Sequence, residues 1–268
     1  MSAAVTIVLP CFNEGARIAE SLMALVSWFE ASVEILVVDD GSRDDTAIHA
    51  ERVAREHAHV RVHRLDRNRG KGAAVRSAIP LIRTERVVFT DADLAFDRAS
   101  VERVITALDD ADMAVGNRRH DRSYYTVPVR LFGFLYRRHI VGLIFNAFVR
   151  PVAGIPHRDT QCGLKGFRTT TLAAMAPSLT TDGFALDVEL LLVAEALGAR
   201  LVDVPVNVHY ETARSSVALL VSARSMARDV LRIAWRRARG AYEPSAVRAR
   251  IGLPVGTGPR RPGQPSAS

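Results

Sequence analysis

Short apolar runs alternate with segments of helical spacing along the first hundred residues, and this alternation constrains the fold more than any other feature. Strands are predicted at Val5–Leu9, Val33–Val38, Val60–Leu65 and Arg86–Thr90. Helices are predicted between them at Glu14–Phe29, Asp44–His57 and Ala73–Ile82. Short β-branched strands of this kind are typical of a parallel sheet that is covered by helices on both faces. The sequence therefore predicts an α/β fold.

The rest of the chain continues less regularly. Further helices are predicted at Val101–Leu108, Thr170–Met175, Leu186–Leu197 and Ser216–Ala238, and further strands at Met113–Val115 and Arg200–Val208. The last residues are rich in Pro, Gly, Ser and Arg, which is typical of a disordered segment. We therefore expect one large α/β domain over residues 1–212, a basic amphipathic helix over 213–240 and a disordered tail over 241–268.

Polar clusters follow the ends of four predicted strands. They are Pro10–Glu14, Asp39–Ser42, Asn68–Lys71 and Asp91–Asp93. Right-handed crossovers bring the carboxyl ends of parallel strands to one edge of the sheet. Ligands of open α/β sheets bind at that edge. We therefore expect the four clusters to form one binding site.

The charge balance narrows the class of partner. The chain carries 36 Lys and Arg residues against 29 Asp and Glu residues, a net charge of +7. This excess favours nucleic acid, anionic lipid or a phosphorylated substrate. We expect no nucleic acid, because the sequence holds neither a zinc motif nor basic stretches interleaved with aromatic residues. Two cysteines, no signal peptide and no uncharged membrane-spanning stretch predict a cytoplasmic location.

Three of the clusters suggest specific chemistry. Asp91 and Asp93 form a carboxylate pair that suits Mg²⁺ or Mn²⁺, although two solvated acids in a loop would look the same. Asp39 and Asp40 are expected either to accept hydrogen bonds from a nucleobase or ribose or to cap the next helix. Lys71 opens a helix and can meet an anion there, but the surrounding spacing is not that of a P-loop.

Five motifs in this order resemble the inverting glycosyltransferases of family 2, which have the GT-A fold. The motifs are Pro10–Glu14, Val37–Thr46, Asn68–Gly72, Asp91–Asp93 and Asp159–Gly163. The last of them and the stretch Phe184–Glu189 resemble the dolichyl-phosphate β-glucosyltransferase branch of that family. The dolichyl-phosphate mannose synthases are close relatives of this branch.

The resemblance implies a role for each matching residue. The nucleotide would bind to Pro10, Phe12, Asn13, Glu14, Asp39 and Asp40. The diphosphate and its Mg²⁺ or Mn²⁺ ion would bind to Lys71, Asp91, Ala92, Asp93 and Arg118, with Asp91 and Asp93 as the metal ligands. The donor sugar and the acceptor would lie against Gln161, Cys162 and Gly163, with Arg214 as a further phosphate ligand. Asp187 and Glu189 would face the acceptor and act in catalysis with Asp93.

Two departures from the family pattern bear on these roles. Mannose synthases often carry Gln two residues after the metal-binding carboxylates, whereas this chain has Ala95, so we do not expect three side-chain metal ligands. Glucosyl relatives often have Gly-Ser-Lys where this chain has Arg214, Ser215 and Ser216.

The resemblance implies transfer of a hexose from a nucleotide sugar, with glucose from UDP-glucose favoured, to a polyprenyl or dolichyl phosphate. GDP-mannose as donor and a soluble hydroxyl acceptor, such as a saccharide or metabolite, remain alternatives. A lipid phosphate is already ionised at neutral pH, because its second pKa is about 6. Asp187 is then expected to position the acceptor rather than to deprotonate it.

Two segments suggest contact with a membrane surface. Residues 127–150 are aromatic and apolar around a few basic residues. The predicted last helix has an apolar face of Leu219, Ala223, Met226, Val230 and Ile233 opposite a basic face of Arg224, Arg228, Arg232 and Arg236. This pattern is typical of an interfacial helix, but packing of the apolar face on the catalytic domain would give it too. We expect peripheral binding to the inner face of the cell membrane.

Overall fold

A computed structural model describes residues 4–129, 147, 149, 151, 154, 157–209 and 219–252. Nine strands are present in this part of the chain: β1 Val5–Cys11, β2 Val33–Asp39, β3 Val60–Arg64, β4 Arg86–Phe89, β5 Met113–Asn117, β6 Tyr124–Thr126, β7 Lys165–Arg168, β8 Leu201–Pro205 and β9 Asn207–His209. The helices are α1 Ile18–Phe29, α2 Thr46–Glu56, α3 Lys71–Ala78, α4 Arg98–Ala107, α5 Thr169–Met175, α6 Leu186–Leu197, α7 Leu219–Ala238 and α8 Pro244–Arg250.

Seven strands form one sheet in the order β3-β2-β1-β4-β7-β5-β8. All neighbours are parallel except β7, which runs antiparallel to both β4 and β5. A second sheet pairs β6 with β9. The predicted α/β class with a mostly parallel sheet is therefore confirmed.

Alternate residues of the central strands feed two hydrophobic cores on opposite faces of the sheet. Val8, Leu36, Val87 and Phe89 pack with α3, α6 and α7. Ile7, Ile35, Val37, Val88 and Ala114 pack on the other face with α1, α2 and α4. Burial on both faces explains why these strands are continuously apolar rather than alternating in sequence.

The predicted strand Arg200–Val208 is divided in two. Its first part, β8, extends the large sheet, and its second part, β9, pairs with β6. Two serine hydroxyls accept the backbone N–H groups at the division: Ser123 accepts from Val206 and Ser100 accepts from Asn207. The apolar pattern runs through the division because Val204, Val206 and Val208 are all buried.

The C-terminal region departs most from the expected domain organisation. Val230 and Ile233 of α7 are buried in the core that also contains α6, so their side of the helix packs on the catalytic domain. The predicted disordered tail is wrong over residues 241–252, because this segment contains α8. Tyr242 and Val247 anchor the segment in the same core. The remaining tail residues, 253–268, lie outside the described part of the chain.

The segment 127–150, predicted to contact a membrane, lies mostly outside the described residues. In the part that the structure describes, no helix is long and apolar enough to cross a bilayer.

Candidate active site

The polar clusters meet at the carboxyl edge of the sheet, as predicted. Cys11 at the end of β1 is aligned with Asp39 at the end of β2. Thr90, which precedes the Asp91–Asp93 turn, donates its backbone N–H to the carbonyl of Val8 in the neighbouring strand. The turns that follow β1, β2 and β4 are therefore neighbours in space.

Of the predicted nucleotide-binding residues, Pro10 lies in β1, and Phe12, Asn13 and Glu14 belong to the loop after it, which is tied to the loop after β2. The backbone N–H of Asn13 donates to Oγ of Ser42 at 2.9 Å. Oδ1 of Asn13 accepts the backbone N–H of Arg43 at 3.0 Å. Thr46 Oγ1 accepts the N–H of Glu14 at 2.8 Å. These contacts fix the shape of the edge on this side.

Asp39 and Asp40 are both buried and both bonded within the protein. Asp39 accepts the N–H of Ser42 at 2.9 Å and forms an ion pair with Arg64 at 3.2 Å. Asp40 accepts the N–H groups of Arg69 and Gly70 at 2.8 and 2.7 Å. Burial raises the pKa of Asp40 although both hydrogen bonds oppose this shift. The hydrogen bonds of both carboxylates go to loop backbone rather than to the first turn of α2, so neither carboxylate caps that helix. Contact of Asp39 and Asp40 with a nucleotide stays a prediction.

Through these two hydrogen bonds, Asp40 holds the backbone of the residues that precede α3. Gly70 adopts φ +102°, which side chains other than glycine rarely adopt. The N–H groups of Gly72 and Ala73 in the first turn of α3 donate to the carbonyl of Asp182. The first turn is therefore occupied by the protein itself, and Lys71 reaches the site through its side chain.

Two lysines and two carboxylates form a chain of alternating charge at the centre of the edge. Nζ of Lys71 lies 2.6 Å from Oδ1 of Asp91 and 3.9 Å from Oδ2 of Asp187. Nζ of Lys165 lies 2.8 Å from Oδ1 of Asp187 and also donates to the carbonyl of Cys162 at 2.5 Å. Lys165 is 1% exposed.

Charge pairing dominates the ionisation of this cluster. Burial lowers the pKa of the Lys71 ammonium, but the carboxylates of Asp91 and Asp187 outweigh burial and raise it. Burial likewise raises the pKa of Asp91, and Lys71 outweighs it and lowers that pKa. Both groups are therefore charged at neutral pH.

The absence of a side chain at Gly163 leaves room for the Asp91 carboxylate. A Cβ atom at residue 163 would lie 2.1 Å from Oδ2 of Asp91, so no other residue fits without displacing the carboxylate. Gly163, the last residue of the Asp159–Gly163 motif (D-T-Q-C-G), thus lies directly against the Asp91–Asp93 turn (the D-x-D turn), so the two motifs are neighbours in space.

Arg118 after β5 pairs with Asp159 at the start of the same motif. Its Nε and Nη2 donate to the two carboxylate oxygens at 2.8 Å each, and its backbone N–H donates at 3.0 Å. Burial raises the pKa of Asp159, but the Arg118 guanidinium outweighs this and lowers it to about 2. Gln161 follows on the same turn, and its Nε2 is buried without a hydrogen-bond partner in the described structure.

Two predicted site residues, Cys162 and Ala92, have buried side chains. The Cys162 side chain is buried and lies against Gly116, where a Cβ atom would be 2.7 Å from its Sγ. Burial raises the pKa of this thiol to about 12. Cys162 thus packs in the core, and only its carbonyl reaches the charged cluster. Ala92 is also buried, and its carbonyl accepts the hydroxyl of Ser21 at 2.7 Å.

Glu189, predicted to face the acceptor, is buried and bonds to the C-terminal region of the chain instead. Its carboxylate accepts the N–H groups of Thr180 and Thr181 at 2.8 Å each. It also accepts from Arg236 of α7 at 2.9 Å and from the Tyr242 hydroxyl at 2.8 Å. Asp187 and Glu189 are two positions apart on a helix, about 200° around its axis, so they cannot share a face. Glu189 joins α6 to the C-terminal region.

Lys165, Asp159 and His209 were not among the predicted site residues. Lys165 and Asp159 belong to the D-T-Q-C-G-x-K stretch, so the motif contained the signal for both. His209 is the last residue of β9, and its backbone N–H donates to the carbonyl of Ala95 at 2.8 Å. Only sheet pairing brings this histidine close to the D-x-D turn. Arg214 lies outside the described residues.

The donor atoms at the D-x-D turn fit a divalent cation that takes few ligands from the protein. The Asp91 side chain is 41% exposed, and Asp93 is exposed with Oδ1 accepting the N–H of Ala95 at 3.3 Å. Among the described residues, no group of three His, Cys, Asp or Glu side chains is placed to hold a metal. Two hard carboxylates suit Mg²⁺ or Mn²⁺ when substrate phosphates complete the shell.

Comparison with known proteins agrees with this geometry. The model of the family described as glycosyl transferase family 2 matches residues 6–151, so the chain belongs to this family and is a glycosyltransferase. The dolichyl-phosphate beta-glucosyltransferase of Saccharomyces cerevisiae is 30% identical over 261 residues, covering 88% of this chain and 76% of that protein. The Mus musculus enzyme of the same name is 32% identical over 267 residues, covering 91% and 78%.

Solved structures show the fold. Glucosyl-3-phosphoglycerate synthase from Mycobacterium tuberculosis in complex with UDP aligns with a TM-score of 0.60 at 22% identity, covering 94% of this chain and 81% of that one. Its complex with Mn²⁺, UDP-glucose and glycerol 3-phosphate aligns equally well at 21% identity. The GT-A fold implied by the sequence motifs is thereby confirmed.

Proposed function

We propose that this enzyme transfers a hexose, glucose from UDP-glucose in the first instance, to a polyprenyl phosphate with inversion at the anomeric carbon. The observation that carries the proposal is the cluster of Lys71, Lys165 and Arg118 among the carboxylates of the sheet edge. The polyprenyl acceptor is supported by the dolichyl-phosphate beta-glucosyltransferases that the chain resembles over most of its length.

The donor diphosphate would lie over the D-x-D turn. Asp93, with Asp91 beside it, would hold the Mg²⁺ or Mn²⁺ ion, which when bound would neutralise negative charge on the diphosphate. Lys71 bridges Asp91 and Asp187 and stays charged because both carboxylates raise its pKa. Its ammonium is therefore a fixed positive charge beside the position where the departing nucleoside diphosphate gains negative charge.

The acceptor would approach from the side of Asp187. A phosphate oxygen attacks the anomeric carbon while the bond from that carbon to the nucleoside diphosphate breaks, and the diphosphate leaves with the electron pair. The ionised phosphate has no proton to lose, so no general base is required. Lys165 holds Asp187 at 2.8 Å, and this pair would orient the acceptor.

A small pocket lies beside these groups and supports this direction of approach. Lys71, Lys165 and Asp187 line it together with the apolar residues Phe184, Leu186 and Leu190. A phosphate attached to a hydrocarbon chain needs cationic and apolar groups next to one another, and the pocket lining supplies both.

The test is turnover of a panel of UDP- and GDP-sugars by purified protein with Mg²⁺ or Mn²⁺, with and without a short-chain polyprenyl phosphate. We expect transfer that needs both metal and lipid phosphate, with UDP-glucose as the best donor. Preference for GDP-mannose would change the donor assignment. Turnover that is indifferent to the lipid would instead support a soluble hydroxyl acceptor and overturn the polyprenyl assignment.

A further inference from the structure

The outward side of α7 carries exposed residues that have no part in the charged cluster of the site. We call it the basic–aromatic face and define it as Arg228, Leu231, Arg232 and Trp235 of α7 together with Arg239, the residue that follows the helix. At about 100° per residue these five positions fall within an arc of roughly 100°. Leu231 is 57% exposed and Trp235 is 55% exposed, and their spacing of four residues makes them neighbours on the helix surface.

This face is not the apolar face that the sequence pattern suggested for membrane contact. Val230 and Ile233 of that apolar face are buried in the core, so they are unavailable to any partner. Their burial also fixes how the helix is rotated. The basic–aromatic face therefore stays directed away from the catalytic domain.

The chemistry of the face suits the headgroup region of an anionic bilayer. Two large apolar side chains lie between three arginines, and the Arg239 guanidinium stacks on the Trp235 ring at 3.9 Å from its centroid. Tryptophan and arginine both combine an apolar body with a polar end that stays in the hydrated layer. An exposed apolar side chain such as Leu231 would contribute nothing to the binding of nucleic-acid phosphates.

One edge of the face borders the acceptor side of the site through Asp229, which lies on α7 beside the face and outside it. Asp229 of the same helix lies against Gly183, where a Cβ atom would be 2.4 Å from Oδ2. Gly183 adjoins Phe184, which lines the pocket with Lys71 and Asp187. A bilayer in contact with this part of α7 would lie next to the loop through which the acceptor is proposed to enter.

We propose that the basic–aromatic face is the surface by which the enzyme lies on an anionic lipid leaflet, with Leu231 and Trp235 inserted between headgroups and the arginines on lipid phosphates. The proposal rests on the proposed function, because the leaflet is where a polyprenyl phosphate acceptor resides. Binding to lipid is nevertheless measurable without turnover, so the two proposals can fail separately.

The first experiment is sedimentation of the full chain with vesicles of phosphatidylcholine alone or mixed with phosphatidylglycerol. We expect binding to the mixed vesicles that weakens as salt is added. The variant Leu231→Ser/Trp235→Ser should lower this binding about 100-fold, and Arg228→Gln/Arg232→Gln at least about tenfold.

Matched controls remove exposed groups of the same kind from the opposite side of the sheet. Met23→Ser/Ile48→Ser deletes two apolar side chains that are 45% and 61% exposed. Arg52→Gln/Arg55→Gln deletes two exposed charges from α2. Both control variants should bind vesicles as the unaltered protein does.

A second measurement follows Trp235 directly. In the variant Trp28→Phe, Trp235 is the remaining tryptophan. Its emission should shift to shorter wavelength on mixed vesicles and be quenched by brominated lipid. Turnover of a short, water-dispersed polyprenyl phosphate should be unchanged in the face variants, because none of the five side chains belongs to the charged cluster.

The proposal is overturned if the unaltered protein ignores the mixed vesicles, or if the face variants bind them as tightly as the controls. It is also overturned if the face variants convert a dimer into a monomer without affecting vesicle binding, since the face would then bind a second copy. Vesicle binding through this face without any sugar transfer to lipid phosphate would leave the docking surface standing and defeat the proposed function.

Discussion

The loops after β1, β2 and β3 differ from the residues around Asp91 in the partners of their carboxylates. In the loops, Asp40 bonds to backbone N–H groups of the next loop, and Asp44 likewise accepts the N–H of Gly15. Around Asp91 the partners are side-chain cations, Lys71 and Lys165. Carboxylates of the first kind hold loops in shape, whereas those of the second kind hold the ammonium groups that we propose bind the phosphates of donor and acceptor.

The largest effect is expected at the D-x-D turn. Asp93→Ala should lower kcat about 1,000-fold, because it removes an exposed carboxylate proposed to hold the metal. The thermal midpoint should hardly change. Steady-state transfer and thermal unfolding measure the two effects, with Asp110→Asn, an exposed acid of the loop before β5, as the control. Equal loss of activity in the control, or none in Asp93→Ala, would contradict the assignment.

Removing one partner of the buried Lys165–Asp187 pair is expected to cost stability. Asp187→Asn should lower the free energy of unfolding by about 3 kcal/mol, because the buried Lys165 ammonium then loses the carboxylate with which it forms its ion pair. Adding Lys165→Met should restore most of this loss while transfer stays low. Urea unfolding and kcat are measured for Asp187→Asn, for Lys165→Met and for the double variant, which together form a double-mutant cycle.

Glu189→Gln is the matched variant on the same helix. It should also lose stability, since Glu189 accepts from Arg236 and Tyr242. Its kcat, measured below the unfolding temperature, should fall far less than that of Asp187→Asn. A larger fall in kcat for Glu189→Gln would restore its predicted role at the acceptor.

The pH dependence of stability should have a definite sign at Asp159. Its pKa is lowered to about 2 in the folded state, below the value of about 3.9 in unfolded chains. The pair with Arg118 therefore contributes about 2 kcal/mol above pH 4, and this contribution is lost as the pH falls through 2. Unfolding of the unaltered protein and of Asp159→Asn should differ at pH 7 and converge in acid. A constant difference would contradict this account.

A smaller loss is expected at Asp40. Asp40→Asn leaves the N–H of Arg69 or of Gly70 without its carboxylate acceptor and should lower the free energy of unfolding by about 1.5 kcal/mol. Both the free energy of unfolding and the affinity for the donor should decrease, because the loop before Lys71 would lose part of its hydrogen bonding. Urea unfolding and calorimetric titration with UDP measure them. Loss of UDP binding with unchanged stability would show that Asp40 touches the nucleotide instead.

The smallest effect is expected at Gly163. Gly163→Ala would place its Cβ 2.1 Å from Asp91, so the carboxylate must move and kcat should fall about tenfold. Gly240→Ala is a control in a more open position, although its φ of +75° carries some strain. An unchanged kcat for Gly163→Ala would show that Asp91 tolerates displacement.

Much of the fold and of the site's location could be predicted from the sequence. Strand and helix periodicity placed the parallel sheet, because continuously apolar strands need burial on both faces. The D-x-D turn and the D-T-Q-C-G stretch, which the family resemblance assigned to one site, are neighbours in the structure. The roles of Cys162 and Glu189 could not be read from their motifs, because the direction of a side chain depends on where its helix or turn packs. The folded segment 241–252 was not predicted, because the two residues that it buries in the core, Tyr242 and Val247, stand singly within a polar stretch of sequence.

The most direct test of the account is the structure of the product. Purified protein would be incubated with UDP-glucose, Mn²⁺ and a short-chain polyprenyl phosphate, and the lipid product analysed by mass spectrometry and by NMR of the anomeric position. The account predicts a single glucose joined to the lipid phosphate in the β configuration. An α-linked product, or glucose transferred to a hydroxyl group while the lipid phosphate stays unmodified, would contradict it.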